Sequence, residues 1–239
     1  MLKKVVRLIV ALVLLGAAIA FKSVSPSAQF DQYVLALTWH PGFCTGRDGK
    51  PECRQMDTFA TEEFVLHGLW PDEVSYCNVG VQSESLSKSG QWCEIDVLPA
   101  EDQYFEVPAK RSLMPGSHER SCLDRHEWVK HGTCSGLDFD EYYDLSLALV
   151  SRFAESKTSD YVAANRGRRV GRAAFYRVVA EDFGRDGAWK VQAICNDDRL
   201  TEVRLMLRAD VEPNATFTQW VSGDAERYRA KCGSEFFID

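Results

Sequence analysis

Eight cysteines constrain the fold of this chain more than any other feature of its sequence. An even number of cysteines in an exported chain favours disulfides over metal ligands, because thiols oxidise outside the cytoplasm. We therefore expect four bridges. The short first loop and the isolated last two cysteines favour two pairs, Cys44 with Cys53 and Cys195 with Cys232. Spacing leaves the remaining four open, with either of Cys77 and Cys93 bonded to Cys134 and the other to Cys122.

The first twenty residues have the pattern of an export signal. Lys3, Lys4 and Arg7 precede an apolar run over residues 8–20 that ends in small residues. We expect cleavage before Phe21. A membrane anchor is the alternative, but spanning a bilayer needs about 20 apolar residues and this run is shorter. The pattern predicts a signal peptide over residues 1–20 and a periplasmic or secreted protein over residues 21–239.

Charge limits the partners of the mature chain. The full chain has a formal net charge of −7, and removal of the signal with its three positive charges leaves −10. A protein that holds long nucleic acid through many phosphates is normally basic, so any such contact here should be local and brief. With 45% hydrophobic residues and neither a repeat nor a low-complexity linker, residues 21–239 are expected to form one domain and a monomer.

Hydrophobic patterns predict strands and helices in mixed order, which is typical of an α+β fold. The Ser-rich stretch 81–90 is interpreted as a long surface loop. Alternating or short apolar runs predict strands at 33–39, 64–66, 189–195 and 201–207, with turns at 41–42 and 196–198. Helical periodicity predicts helices at about 121–132, 138–153 and 170–183.

Two segments carry the candidate chemistry. They are residues 64–72, FVLHGLWPD, and residues 126–134, HEWVKHGTC. One histidine at a strand end or one charged run on a helix is usually structural, so neither segment is persuasive alone. His67, at the predicted strand end, and a histidine of the second segment together suit acid–base catalysis on a phosphodiester. On a helix, four side chains of the second segment share one face: Glu127, Lys130, His131 and Cys134.

Both segments resemble the two active-site signatures of the ribonuclease T2 family, at every motif position. The similarity extends to residues 33–39, to residues 42–44, and to the C-terminal residues 232–233 and 236–239. Bacterial periplasmic members are the most similar in character. The resemblance implies an α+β fold around a central antiparallel sheet flanked by helices. It also implies an endoribonuclease that cleaves single-stranded RNA, and not DNA, through a 2′,3′-cyclic phosphate.

The resemblance also implies a role for each residue. His131 is similar to the general base that removes the 2′-hydroxyl proton, and His67 to the acid that protonates the departing 5′-oxygen. Lys130 would stabilise charge on the transition state, while Glu127 would hydrogen-bond or tune its histidine neighbour. His126 resembles a phosphate-binding histidine. The resemblance implies neither a metal nor another cofactor.

The residues that follow the first catalytic histidine resemble a base-binding corner. There the indole of Trp70 would stack on a base, and the carboxylate of Asp72 would accept a hydrogen bond from an exocyclic amine. Stacking tolerates every base, so base preference should be weak. Tyr76 could join this pocket, whereas His40 and His118 lie outside both signatures.

Two other classes of protein fit part of the pattern. A zinc hydrolase would use His126, Glu127 and His131, which loosely resemble a His-Glu-x-x-His helix. These histidines are five residues apart, and so about 140° apart around a helix, whereas ligands at i and i+4 share a face. A binding protein that has lost catalysis would usually lack a catalytic histidine, and both are present. The sequence therefore favours the ribonuclease.

Overall fold

The computed structural model describes residues 30–221 and 230–239, so the predicted signal peptide lies outside the described residues. Within these ranges six strands form one sheet in the order β2-β1-β5-β6-β3, and β4 also pairs with β5. All these pairs are antiparallel except β5 with β6. The predicted α+β fold with a mainly antiparallel sheet is confirmed. The strands are β1 (Gln32–Trp39), β2 (Phe64–Pro71), β3 (Arg168–Gly171), β4 (Val191–Asn196), β5 (Arg199–Arg208) and β6 (Glu235–Ile238).

The two faces of the central strands differ in chemistry. On β1, Tyr33, Leu35 and Leu37 join the apolar core, whereas Ala36 and Thr38 point to the other face. Strand β5 follows the same alternation and places its charged residues opposite the small and polar residues of β1. One face of these strands therefore builds the core, and the other is left for polar side chains.

Helices pack against this core. The predicted helix at 138–153 is confirmed, and it begins with a capping box in which Asp138 accepts a hydrogen bond from the amide of Glu141. In the described ranges, no helix is long and apolar enough to cross a bilayer. The helices are α1 (His40–Cys44), α2 (Pro51–Arg54), α3 (Thr58–Glu62), α4 (Val81–Ser89), α5 (Pro99–Tyr104), α6 (Pro108–Leu113), α7 (Leu123–Lys130), α8 (Phe139–Phe153), α9 (Lys157–Ala164), α10 (Arg172–Gly187) and α11 (Phe217–Trp220).

The stretch 81–90 is mostly a helix, so the predicted surface loop is wrong. Helix α4 contains neither Gly nor Pro, and an i, i+4 ion pair between Glu84 and Lys88 supports it. Gly90 follows with a φ of 78°, the left-handed conformation of a helix C-cap. Serine is a weak helix former, but Ser87 is buried. Packing therefore outweighs the composition that indicated a loop.

The helix that carries the second signature is shorter than predicted. Helix α7 ends at Lys130, and a 3₁₀ turn over Gly132–Cys134 follows it. Between them, His131 has a φ of −123° and a ψ of −47°, which is not helical. The prediction that four side chains share one helical face is therefore wrong, because two of the four lie beyond the helix end.

The remaining predicted turns and helix ends are confirmed in part. Pro41 lies in the first turn of α1, where its missing N–H is tolerated, rather than in a turn after β1. The helix expected at 170–183 begins at Arg172, after β3, and its backbone breaks at the predicted end, where Gly184 has a φ of 75° and a ψ of 165°, before a last helical turn to Gly187. The turn at 196–198 is confirmed, and Asp197 and Asp198 both adopt positive φ between β4 and β5.

Four disulfides connect the described residues. The two pairs that spacing favours, Cys44–Cys53 and Cys195–Cys232, are confirmed. The pairing that spacing left open is Cys77–Cys134 and Cys93–Cys122. The first of these joins the loop after β2 to the turn after α7, and the second joins the segment after α4 to the start of α7. Together these two disulfides attach the two ends of α7, the helix that carries the second signature, to neighbouring segments.

Candidate active site

A β-bulge at His67 shapes the first half of the site. Strand β2 continues past the predicted end at residue 66, and the register places Leu66 opposite Leu37 but Gly68 opposite Ala36. His67 is thus the extra residue on β2. A bulge of this kind re-aims a side chain where a regular strand would fix its direction.

The bulge decides which rings meet. In a regular strand, side chains three residues apart point to opposite faces, but the extra residue brings His67 and Trp70 to the same face. Their rings meet edge to face, with centroids 5.3 Å apart. This shared face is the polar one, away from the core.

Glu127 on α7 is buried against this face. Its Oε2 accepts a hydrogen bond from Nε1 of Trp70 at 2.6 Å. Its Oε1 lies 3.8 Å from Nε2 of His67 and 3.9 Å from Nε2 of His126. A Cβ at Gly68 would collide with this carboxylate, so the close approach requires glycine. Burial raises the pKa of Glu127, although the charge of His67 and the hydrogen bond from Trp70 oppose this effect.

His67 lies between carboxylates. Its Nδ1 is 2.7 Å from Oε2 of Glu202 on β5, and Glu127 lies near its Nε2. Burial alone would lower the pKa of His67, but the hydrogen bond with Glu202 and the charges of both glutamates raise it above its ordinary value. The ring is 32% exposed. The site therefore favours a protonated imidazole that solvent or substrate can reach.

His131 has the opposite environment. It is 8% exposed, and its ring stacks on Trp70 with centroids 5.2 Å apart. Its backbone N–H donates to the carbonyl of Glu127 at 2.9 Å, which fixes the residue just beyond the helix end. Among the described residues, its Nδ1 has no hydrogen-bond partner. Burial, followed by the charge of Lys130, lowers the pKa of His131 to about 2, so this imidazole is neutral.

Helix α4 and the segment after it hold His126. The Nδ1 of His126 lies 2.8 Å from Oγ of Ser87, and its ring stacks on Trp92 with centroids 4.4 Å apart. The hydroxyl of Tyr76 is 3.3 Å from the same Oγ. Burial and the charge of Lys130 lower the pKa of His126 to about 4. A neutral, oriented imidazole therefore lies beside the two histidines described above.

The other predicted residues surround this cluster. Lys130 is half-buried at the end of α7, and its carbonyl accepts a hydrogen bond from the amide of Tyr76 at 2.8 Å. Asp72 follows β2, and its Oδ2 accepts from Nε2 of Gln32 at 2.6 Å. The loop that contains Tyr76 is thus connected to the helix end, whereas Asp72 lies at the end of the strand.

Trp70 occupies the centre of the cluster. Its indole donates to Glu127, contacts His67 edge to face and stacks on His131. The guanidinium of Arg204 lies over the ring, 4.7 Å from its centroid. The ring predicted to stack on a base therefore also connects the two histidines and the buried glutamate.

His40 and His118 lie apart from this cluster, as their positions outside both signatures indicated. The backbone N–H of His118 donates to Asp124 at 2.7 Å, and His40 is buried in α1. In the described ranges, one group of three side chains has the spacing of metal ligands: His40, Cys44 and Cys53. The two cysteines are bonded to each other, so this group offers no thiolate.

Known proteins match the chain over most of its length. The model of the Ribonuclease T2 family matches residues 30–213. The chain belongs to the ribonuclease T2 family. Membership in this family makes the protein an endoribonuclease, as the two signatures indicated.

One curated relative and two solved structures are similar to this chain over most of its length. Ribonuclease I of Escherichia coli (strain K12) is 32% identical over 237 residues, which cover 88% of this chain and 87% of that protein. The structure of RNase NT with 5′-AMP has a TM-score of 0.62 at 18% identity and covers 87% of this chain and 98% of that chain. Human RNase T2 has a TM-score of 0.55 at 18% identity, over 87% of this chain and 97% of that chain. At these identities, the two structures show a shared fold.

Four residues at the site of this T2 ribonuclease were not among those predicted from the sequence. Glu202 and Arg204 alternate with apolar residues along β5, a pattern that marks a polar sheet face and could have indicated them. The composition around Ser87 indicated a surface loop and not a site. No pattern in the sequence singled out Trp92.

Proposed function

We propose that this endoribonuclease cleaves single-stranded RNA without a metal ion by activating the substrate's own 2′-hydroxyl. His131 takes the hydroxyl proton, the 2′-oxygen attacks the adjacent phosphorus, and the bond from phosphorus to the 5′-oxygen breaks. His67 gives a proton to that oxygen. The products are a 2′,3′-cyclic phosphate and a 5′-hydroxyl. The two histidines exchange roles when water opens the cyclic phosphate.

The opposite environments of the two histidines carry this proposal. An acid must hold its proton before the step, and a base must be neutral. Carboxylates raise the pKa of His67, whereas burial and a nearby cation lower that of His131. Neighbouring groups whose pKa values are pushed apart are suited to acid and base roles. Both rings contact Trp70, so the two can act on one phosphodiester.

Other side chains supply charge and orientation in this scheme. Lys130 stabilises the negative charge that builds up on the phosphorane-like transition state. If the hydroxyl of Ser87 donates to Nδ1 of His126, which lies 2.8 Å away, Nε2–H of this histidine is left to bind a phosphate oxygen. Glu127, fixed by its hydrogen bond from the indole, lies between His67 and His126, and its charge raises the pKa of His67.

Trp70 and Asp72 contribute to base binding in this proposal. The indole is half-buried, with the ring of His131 stacked on it and Arg204 over it, so a base would pack against the part of the indole that these two groups leave accessible. Asp72 uses Oδ2 to hold Gln32, which leaves Oδ1 to accept from an exocyclic amine. A pocket of this kind discriminates weakly among bases, because stacking tolerates every base.

We propose that the enzyme is exported and monomeric. Four disulfides require an oxidising compartment, and the segment before the described residues has the sequence pattern of an export signal. A periplasmic or extracellular location satisfies both conditions.

Incubation of purified protein with single-stranded RNA and with the matching DNA, each in EDTA, tests the function. We expect RNA fragments that end first in 2′,3′-cyclic phosphate, identified by mass, and intact DNA, because the 2′-hydroxyl is a reactant. The chelator should not change the rate. A doubly substituted protein, His67→Ala with His131→Ala, controls for a contaminating nuclease.

Each alternative function predicts a different result in this experiment. Cleavage of DNA or products with a 5′-phosphate would contradict attack by the 2′-hydroxyl. Activity that EDTA removes and added zinc restores would support the zinc hydrolase. A folded protein that binds RNA but leaves it intact at every pH would support a binding protein without catalysis.

A further inference from the structure

We propose that Glu202, held in place by Arg204, is the positioning residue of the general acid, so that only Nε2 of His67 can deliver the proton to the leaving oxygen. This inference rests on the proposed function, in which His67 is that acid. Neither residue belongs to the two signatures. Both come from β5, which is separated from β2 by β1.

The contacts of Glu202 make it a fixed partner. It is 8% exposed, and each carboxylate oxygen has its own neighbour. Oε2 lies 2.7 Å from Nδ1 of His67, and Oε1 accepts from Nε of Arg204 at 2.5 Å. A carboxylate held on both sides cannot turn away from the ring. It therefore fixes the orientation of the imidazole as well as its charge.

Strand β1, which lies between β2 and β5, permits the contact between His67 and Glu202. In the register, Thr38 of β1 faces Glu202 and Ala36 faces Arg204. Both β1 side chains are short, so His67 can reach across β1 to the carboxylate. The bulge supplies the other requirement, because it places the ring on this face of the sheet.

The second ring nitrogen of His67, Nε2, is available for proton transfer to substrate. Nε2 of His67 is 3.8 Å from the nearest oxygen of Glu127, beyond hydrogen-bond distance, and Trp70 holds the other oxygen of that carboxylate. The nitrogen on the Glu202 side is occupied, and the nitrogen on the opposite side is available to substrate. Such an arrangement orients an acid before the substrate arrives.

The charges that face His67 come from two elements. Glu202 and Arg204 lie on β5, and Glu127 lies on α7. His126 and His131, on α7 and just beyond its end, also interact with the ring, but burial keeps both neutral near pH 7. The glutamates favour the imidazolium and Arg204 opposes it. Removal of Glu202 and removal of Arg204 should therefore move the titration of His67 in opposite directions.

Glu202→Gln is the central test, with Glu106→Gln on the exposed surface as a control of equal charge change. On RNA we expect kcat to fall about 10- to 100-fold, the effect of removing the carboxylate partner of a metal-bound histidine, with little change in KM. The alkaline limb of the pH profile should move to lower pH. Arg204→Gln should lower kcat and move that limb to higher pH.

A substrate with 4-nitrophenolate as the leaving group separates positioning from general damage. This group departs without a proton, so a defect in the acid disappears. Glu202→Gln and His67→Ala should both cleave a uridine 3′-(4-nitrophenyl phosphate) at close to the wild-type rate. If Glu202→Gln remains slow on this substrate while His67→Ala does not, the role of Glu202 is structural and the proposal is wrong.

Titration of the histidine rings by NMR gives a readout that needs no activity. We expect a lower pKa for His67 in Glu202→Gln, an unchanged value in Glu106→Gln and a higher value in Arg204→Gln. An unchanged value in Glu202→Gln would contradict the proposal whether or not the enzyme cuts RNA. Failure of wild-type protein to cut RNA, with the NMR shifts as expected, would instead contradict the proposed function.

Discussion

At the level of single residues, His67 and His131 are the same residue type, and their surroundings shift their pKa values in opposite directions. Substitution of either by Ala removes a positioned acid or base, which contributes about 10²- to 10⁴-fold to a rate. We expect each variant to lower kcat on RNA by about this factor, as measured by initial rates. His118→Asn, outside the site, should keep full activity. Near-full turnover by folded His131→Ala would contradict the assignment of the base.

The two pKa shifts predict an asymmetric pH profile. The acid works only below the pKa of His67, which is raised, and the base works only above that of His131, which is about 2. Activity should therefore persist into acidic solution and fall as the pH rises through the pKa of His67. Low pH also reduces repulsion between RNA and an acidic protein, which favours a mildly acidic optimum. A maximum of kcat/KM above about pH 9 would contradict the scheme, since an unperturbed histidine titrates near 6.5.

Gly68 is the position at which one added carbon should do most damage. A Cβ there would overlap both the Glu127 carboxylate and the indole of Trp70. We expect Gly68→Ala to lower kcat by about tenfold or more, and to lower the free energy of unfolding by about 1–3 kcal/mol, as for other overpacked sites. Denaturant melts and initial rates measure both. Gly49→Ala, where a Cβ meets open space, should change neither quantity.

At the level of elements, helix α4 contributes to a site from which the sequence analysis excluded it. Ser87→Ala removes the hydrogen bond that orients His126, and one such bond contributes about 0.5–1.5 kcal/mol. We expect kcat/KM on RNA to fall about 2- to 10-fold. Ser85→Ala, exposed on the same helix, is the matched control. Equal activity in the two variants would show that the bond to His126 is unimportant.

Two elements, α8 and β1, could be predicted from the pattern of their own residues. The capping residue Asp138 and a strong apolar periodicity located α8, and regular alternation located β1. The bulge at His67 could not be predicted, because it depends on register with β1 and leaves no mark in the sequence of β2. The early end of α7 likewise depends on the disulfide turn that follows Lys130.

Across the whole molecule, the central sheet separates stability from chemistry. Its core face is apolar and could be predicted from alternation. Its other face gathers the histidine of β2 with charged residues from β5, and α7 closes over it. The two signatures together could be assigned from the sequence, through their resemblance to the family. Alternation along β5 could indicate that Glu202 lies on the polar face, but not its contact with His67, which lies 135 positions away in the chain and two strands away in the sheet.

The distribution of charge predicts a weak dependence on salt. In single strands, log K falls with log salt by about 0.7 for each phosphate that a protein neutralises. Arg204 is already paired with Glu202. Lys130 and protonated His67 are thus the cations that the proposed mechanism offers to a phosphate, so the slope of log kcat/KM should be about −1.4 or shallower. Lys130→Gln should reduce the slope by about 0.7.

Arg168→Gln provides the matched control for this measurement. Arg168 is exposed on β3, at the edge of the sheet opposite β2, and carries the same charge as Lys130. If RNA contacts the enzyme only near the two histidines, this variant should keep the wild-type slope, since no phosphate reaches the far edge. A slope steeper than about −3 in wild-type protein, reduced by Arg168→Gln, would show that RNA crosses the molecule and that the contact is extended rather than local.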